Sequence, residues 1–363
     1  MPAIPVPVRI RVLVVEDSLT VRKRIVEVLG ADPGLEVVGE AGDGKTGIEL
    51  CARFRPDVIT LDMMLPVMSG LAATEYIMAY CPTPIVIVSA STNRGELFRT
   101  YDALAAGAVD VLEKPTGDES DEAWEQKLVS TVKMISRIKV ITHLRGKMRL
   151  ARRDPEPLSA DGGGTHGGNR RLIAIGASTG GPSAVLDILR GLPGSFPLPI
   201  LLVIHIGRPF AAALAEWLDG ESPLHVAYAR DGELLPEPGQ GRVVMAPPDC
   251  HLTVDRGKVR LTGDPARHSC KPSVDVLFES VATEFGDRCA ACLLTGMGRD
   301  GAAGLLAIRR AGGLTLAQDE SSSVVFGMPR EAILLGAAER VLSIEQFAPA
   351  LIMAAGGEQR RSK

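Results

Sequence analysis

The sequence predicts an α/β protein of two doubly wound parallel-sheet domains joined by a flexible linker. Three observations carry that reading. Short apolar runs alternate with helical patterns in two separate tracts, one before residue 145 and one after residue 169, and such alternation builds parallel sheets. Between the tracts lies DPEPLSADGGGTHGGN, whose proline, glycine and serine cannot form a core. The 363 residues, 45% hydrophobic and 23% charged, supply apolar material for two cores. The expected boundaries are 8–144 for the first domain, 145–169 for the linker and 170–350 for the second.

Bulk properties exclude some classes. A net charge of -4 gives no global basic field, so nucleic acid is not an expected partner. The apolar run Leu198–Ile206 is too short to span a bilayer, and MPAIPVPVRIRV has no signal-peptide anatomy. The expectation is a cytoplasmic protein with no direct membrane insertion. Six cysteines are scattered along the chain, unlike a disulfide framework. Cys289-Ala-Ala-Cys292 runs into Leu293-Leu294 and reads as the start of a core strand. Cys250-His251 and His268-x-Cys270 are possible zinc ligands, but no second C-x-x-C or H-x-H spacing completes a set.

In the first domain, Arg9–Val15 is an apolar run closing on Glu16-Asp17, followed by a helical face of Val21, Ile25, Val28 and Leu29. Leu35–Val38 is a second strand, Asp57–Leu61 a third closing on Asp62, Ile85–Val88 a fourth ending in Ser89, and Val109–Leu112 a fifth followed by Lys114. Glu16, Asp17, Asp62, Ser89 and Lys114 therefore stand at carboxyl ends of strands, which a parallel sheet gathers on one edge. Three carboxylates together repel unless a cation joins them, and oxygen ligands of this kind suit Mg²⁺. Asp62 can then act as a carboxylate nucleophile toward a phosphoryl donor, with Lys114 and Ser89 holding phosphoryl oxygens. Taken singly, each acid reads as a solvated loop residue.

The strings VVEDS, ITLDMMLPVMSG, IVSAS and LEKP resemble the response-regulator receiver domain over about 130 residues. The resemblance implies a flavodoxin-like domain, Asp62 as phosphoacceptor, and Mg²⁺ held by Glu16, Asp17 and Asp62 with help from the Met64 carbonyl. The first acid is Glu where Asp is commoner, and Val111 stands where many receivers carry Phe or Tyr. That second departure puts an aromatic switch in doubt.

A helical pattern at Glu122–Leu144 places Leu128, Val132, Ile135, Ile138 and Ile141 on one face, ahead of Arg145, Lys147, Arg149, Arg152 and Arg153. The basic residues read as a solvated helix end, and His166, among glycines, as a linker residue.

The second domain opens on RLIAIGASTGGPS. Leu172–Ile175 is a buried strand, and Pro182 opens a helix, where its missing N–H costs nothing. Ser178 thus sits on the turn between them, in a G-x-S-x-G pattern. The bland alternatives are a glycine turn that only packs helix on strand, or a phosphate cradle. Pro199–Ile204 is a strand followed at once by His205; Phe210–Leu218 is a helix, and Gly241–Ala246 a strand. Leu252–Val254 and Val259–Leu261 form a hairpin across Arg256-Gly257. Val274 opens a helical pattern with Leu277, Phe278 and Val281. Ala290–Leu294 is a strand broken by TGMGRDG, Thr315–Ala317 a late strand, and FGMP a turn before a final helix. Ser178, His205 and Asp300 each follow a strand and precede a helix; His225, His251 and His268 lie in loops or near weaker strands. A base beside a serine takes its proton, and a carboxylate fixes the imidazole. The order Ser, His, Asp differs from that of the α/β-hydrolases.

The motifs IGASTGGPSA, APPDCHL, KPSVDVLF and LTGMGRDGA, with the strand-end His205, resemble the catalytic domain of the chemotaxis protein-glutamate methylesterases, the CheB family. Receiver, linker and this Rossmann-like domain match the family in order over nearly the whole chain. The resemblance implies Ser178 as nucleophile, His205 as base, Asp300 as its orienter and the Met297 N–H as an oxyanion donor. It implies methylated chemoreceptors as substrates, a chemotaxis-type histidine kinase as phosphodonor, no cofactor in the esterase domain, and a receiver that covers the esterase site until Asp62 is phosphorylated. IHIGRPF stands where a QHM-like segment is usual, so contacts near Ile204 and Ile206 differ. Two other classes remain open: a phosphorylation-dependent adaptor that has lost esterase activity, and a nucleotide-dependent oxidoreductase. The complete Ser178, His205 and Asp300 set opposes the first, and the absence of G-x-G-x-x-G opposes the second.

Overall fold

The computed structural model describes residues 9–90, 93–115, 121–138 and 170–356. The chain divides into two compact units, Met1–Arg153 and Asp154–Lys363.

The first unit alternates strands and helices without exception: β1 (Ile10–Val15), α1 (Leu19–Ala31), β2 (Leu35–Ala41), α2 (Gly44–Phe54), β3 (Val58–Leu61), α3 (Gly70–Tyr80), β4 (Ile85–Ser89), α4 (Arg94–Ala105), β5 (Asp110–Glu113) and α5 (Asp121–Ile135). Each of α1 to α4 starts at a side-chain cap, from Ser18, Asp43, Ser69 and Asn93 in turn, which satisfies an N–H that the helix leaves unpaired. The strands pair in parallel in the order β2-β1-β3-β4-β5. Covered on both faces, β3 and β4 are buried at every position. The order reverses between β1 and β3, the place where open α/β sheets hold ligands, and Glu16 and Asp62 follow those two strands.

The long helical pattern is shorter than its apolar stripe suggests. Leu128, Val132 and Ile135 are fully buried, but α5 ends at Ile135 and residues 136–137 form a turn. The rest of the pattern to Leu144, the basic residues Arg145 to Arg153, His166 and the linker 145–169 lie outside the described residues.

The second unit contains β6 (Leu172–Ala177), α6 (Gly181–Gly191), β7 (Ile200–Ile204), α7 (Arg208–Ala211), α8 (Leu214–Glu221), β8 (His225–Tyr228), β9 (Arg242–Met245), β10 (His251–Asp255), β11 (Lys258–Thr262), α9 (Val274–Phe285), β12 (Cys289–Leu293), α10 (Ala302–Arg310), β13 (Leu314–Gln318), α11 (Met328–Leu334), β14 (Arg340–Leu342) and α12 (Ile344–Ala355). Seven strands form a parallel sheet in the order β14-β13-β12-β6-β7-β9-β8. The first strand, β6, is central, and the chain winds away from it in both directions. The crevice beside the end of β6 is therefore a switch point. The hairpin β10–β11 stands apart from this sheet, with Leu252 opposite Leu261 and Val254 opposite Val259. Its two-residue turn, Arg256-Gly257, has φ of 50° and 71°, the left-handed pair that suits the strand twist.

Two expectations, both about helices, need correction. The single helix at Phe210–Leu218 is two, α7 and α8, separated at Ala212-Ala213, where two alanines carry no breaking signal. His225, expected in a loop or near a weaker strand, opens the short edge strand β8. One final helix is replaced by α11, the three-residue strand β14 and α12. Cys289 and Cys292 are fully buried in β12. Among the described residues no helix is long and apolar enough to cross a membrane.

Candidate active site and candidate metal centre

Ser178 follows the last residue of β6 and precedes α6. The turn closes when the Gly181 N–H reaches the Ser178 carbonyl at 2.6 Å, and Gly180 takes φ of 76° to allow it. Any side chain at Gly180 would also strike Val324, 2.6 Å from the added carbon. The Ser178 N–H donates to the Thr295 carbonyl at 3.0 Å, tying the turn to the loop after β12.

His205 arrives from the neighbouring strand. Ile204 pairs with Ala177, and the His205 N–H donates to the Ala177 carbonyl at 3.0 Å. Serine and histidine therefore leave adjacent strands at the same level. Asp300 comes from the loop on the other side of β6, and its Oδ2 lies 2.9 Å from His205 Nε2. The two meet on distance but off the hydrogen-bond line, so Nε2 is a buried atom without an aligned partner.

The Asp300 carboxylate is 2% exposed and anchored at the start of α9. Oδ1 accepts from Ser273 Oγ at 2.7 Å and from the Asp275 N–H at 3.1 Å; Oδ2 accepts from the Val274 N–H at 2.7 Å. A helix N-terminus offers free N–H groups and partial positive charge, so a buried anion is stable there. Burial alone would push the Asp300 carboxyl up; the His205 imidazole, the Ser273 hydroxyl and the Val274 N–H outweigh it and hold the carboxyl below its usual value. Burial likewise opposes charge on His205, but Asp300 and Cys270 beside it win, and its pKa rises to about 9.

Met297 is 59% exposed and lies two residues past Thr295. The backbone there presses on the nucleophile: a carbon added at Gly296 would stand 2.6 Å from Ser178 Cβ and 2.4 Å from Met328 Sδ. Thr295 fixes this loop. Its N–H donates to Gln318 Oε1 at 2.7 Å, and its hydroxyl donates to the Thr179 carbonyl at 3.0 Å. The sequence reading missed Ser273, Thr295 and Gln318. Ser273 carried the one available signal, a capping serine at the start of a helical pattern.

In the first unit, ligand atoms of Glu16, Asp17 and Asp62 lie within 4.8 Å of one another. Glu16 and Asp62 are buried and Asp17 is exposed. Lys114 Nζ reaches Glu16 Oε1 at 2.9 Å and Asp62 Oδ2 at 3.0 Å. Burial, then the neighbouring Asp62, pushes Glu16 up to about 7 despite Lys114. Burial also raises Asp62, against Lys114 and the Met64 N–H. Glu16 Oε2 and both Asp62 carboxylate oxygens are buried without an aligned hydrogen bond, and Lys114 meets Glu16 Oε2 and Asp62 Oδ2 as an ion-pair partner at 2.9 and 3.0 Å. Converging acids with orphaned oxygens, one of them open to solvent, fit a hydrated divalent cation. Ser89 is brought to the same edge, where the Lys114 N–H donates to its carbonyl at 3.0 Å. Its hydroxyl, however, donates to Glu96 Oε1 of α4 at 3.0 Å.

A 2-1-3-4-5 sheet with acids and a lysine at its switch point, followed by a parallel sheet with serine, histidine and aspartate at its own, defines the class: a receiver unit joined to a hydrolase unit. The family model described as CheB methylesterase matches residues 173–351, and the one described as response regulator receiver domain matches residues 12–122. A protein-glutamate methylesterase/protein-glutamine glutaminase of Nitrosospira multiformis is 43% identical over 97% of this chain and 99% of its own. A second protein of that name, from Anaeromyxobacter dehalogenans, is 44% identical over 94% of this chain and 96% of its own. The crystal structure of the Thermotoga maritima CheB methylesterase catalytic domain is 37% identical, covering 50% of this chain and 97% of that one with a TM-score of 0.48. The chain belongs to the CheB methylesterase family and carries a response regulator receiver domain.

Proposed function

We propose that this chain is a phosphorylation-regulated protein-glutamate methylesterase and protein-glutamine glutaminase of a chemosensory pathway. It hydrolyses glutamate γ-methyl esters on chemoreceptors. The observation that supports this best is the His205–Asp300 pair, 2.9 Å apart, with His205 leaving the strand next to the one that leads into Ser178.

In this reading Ser178 Oγ attacks the ester carbonyl while His205 accepts its proton. The Met297 N–H stabilises the oxyanion, a donor worth about 3 kcal/mol in comparable sites. His205 returns the proton to the departing methoxide, and methanol leaves. Water, deprotonated by the same imidazole, then releases the glutamate. A glutamine side chain follows the same course with ammonia as leaving group. Asp300, held by Ser273 and the start of α9, keeps the imidazole in place and stabilises its charge.

In the receiver, Asp62 accepts the phosphoryl group, and Lys114 and Ser89 hold its oxygens. Ser89 must first give up its bond to Glu96. Glu16, Asp17 and Asp62, with the Met64 carbonyl, would hold Mg²⁺, which would offset the negative charge gathered there. The phosphodonor is a chemotaxis-type histidine kinase, and the protein works in the cytoplasm. The domains extend over 8–144 and 170–350, joined by residues 145–169.

The test uses a methylated receptor fragment and its glutamine form. Methanol is expected from the first and ammonia from the second. A small-molecule phosphodonor should raise the rates of the wild type and leave Asp62→Ala unchanged. No methanol from the wild type, or equal activation of both proteins, would remove the assignment or its regulation.

A further inference from the structure

His268-x-Cys270 is absorbed by neither the fold nor the esterase mechanism, yet it ends beside the mechanism's base. Ligand atoms of His205, Cys270 and Asp300 lie within 4.8 Å of one another. We propose that these three side chains bind a thiophilic divalent metal ion such as Zn²⁺, and that its binding switches the esterase off.

The donor set comes first. One imidazole nitrogen, one thiolate sulfur and one carboxylate oxygen, with a fourth position for water, is a common zinc sphere, whereas Mg²⁺ avoids sulfur. Bonds of about 2.0–2.3 Å place tetrahedral donors roughly 3.3–3.7 Å apart. The His205–Asp300 separation of 2.9 Å needs only a small opening to reach that range.

A second observation is independent of the cysteine. His205 Nε2 is buried and lacks an aligned hydrogen bond although a carboxylate oxygen stands next to it. A metal ion between the two satisfies both atoms.

The surroundings are already those of a metal site. Asp300 is oriented by Ser273 Oγ and by the Val274 and Asp275 N–H groups, which leaves Oδ2 one lone pair for a cation. Cys270 is carried on a tight turn closed by two hydrogen bonds with Arg267, at 2.8 and 3.1 Å. Arg267 in turn grips both oxygens of Glu279 at 2.5 and 2.7 Å. A cleft of about 500 Å³ lined by His268, Ser269, Gly298, Arg299 and Glu331 adjoins the turn.

A metal ion on Nε2 confines the ring proton to Nδ1, so the imidazole keeps no lone pair to accept the Ser178 proton. The metal displaces the thiol proton, so the ion is balanced by thiolate and carboxylate. The inhibitory half of the proposal rests on the esterase reading above; the binding half does not.

The test uses the full chain with Mg²⁺ in excess and Co²⁺ as a spectroscopic probe. One equivalent of Co²⁺ should give a sulfur-to-cobalt charge-transfer band and tetrahedral ligand-field bands, and both should be missing in Cys270→Ser. Methanol release by the wild type should fall with stoichiometric Zn²⁺ and return with chelator. Cys270→Ser should need on the order of a hundredfold more Zn²⁺ for the same fractional loss. No charge-transfer band in the wild type, or identical bands and identical Zn²⁺ inhibition in both proteins, overturns the proposal. A cobalt band without methanol release from the metal-free protein would uphold the site and remove the esterase reading instead.

Discussion

Asp300 Oδ2 lies 2.9 Å from His205 Nε2 and on the same oxygen accepts the Val274 N–H at 2.7 Å. One carboxylate oxygen thus joins the start of α9 to the imidazole. The geometry of the base is set by a helix 26 residues away in sequence from the aspartate.

The serine that caps α9 should therefore matter to catalysis as well as to stability. Ser273→Ala loses the 2.7 Å donor to Asp300 and the cap on the Val276 N–H. The cap costs about 1 kcal/mol of stability. The hydrogen bond to a charged group, about 2 kcal/mol, corresponds to roughly a thirtyfold fall in kcat/KM. Thermal melts and kinetics separate the two effects, and Ser273→Thr should restore most of both.

The pH dependence follows from the charge on the imidazole. A general base works only when neutral, and His205 is held charged up to about 9. kcat/KM should rise tenfold per pH unit below that value and then level off. Asp300→Asn removes a charge that favours the imidazolium, so the limb should move down while the plateau falls by about 10⁴. An unshifted limb in the variant would contradict the pairing.

Gly296 should tolerate no side chain. An added carbon meets Ser178 Cβ at 2.6 Å and Met328 Sδ at 2.4 Å, and Met328 is fully buried. Gly296→Ala is expected to cost about 1–3 kcal/mol by overpacking and to lower kcat by more than tenfold, as read by melting temperature and methanol release.

The receiver should lose stability as pH rises in the absence of divalent metal. Glu16 has a folded pKa of about 7 against 4.5 unfolded, raised by burial and Asp62. Between those values the folded state binds more protons, so stability falls as pH increases through the window. The upper bound is about 3 kcal/mol. Melting in chelator between pH 4.5 and 7.5 should show the decline, and Mg²⁺ should remove it.

Much of this was legible in the sequence because parallel sheets gather strand ends. Glu16, Asp62, His205 and Ser178 each follow an apolar run directly, so their convergence needed no knowledge of packing. What remained hidden spans distance or lacks pattern. The contacts of Ser273 and Cys270 with the Asp300–His205 pair join separate loops, and no local periodicity records them. β8 and β14 are short edge strands with polar residues, and their pairing comes from the sheet rather than from their own composition. Ser89 stands where expected, but its bond to Glu96 depends on how α4 packs.

The central claim is that Ser178 carries the acyl group. The most direct measurement is methanol release from a methylated receptor fragment by the full chain and by Ser178→Ala at equal concentration. The account predicts a fall of about 10⁴ or more in kcat for the variant, with the fold intact by circular dichroism. Equal rates would contradict it.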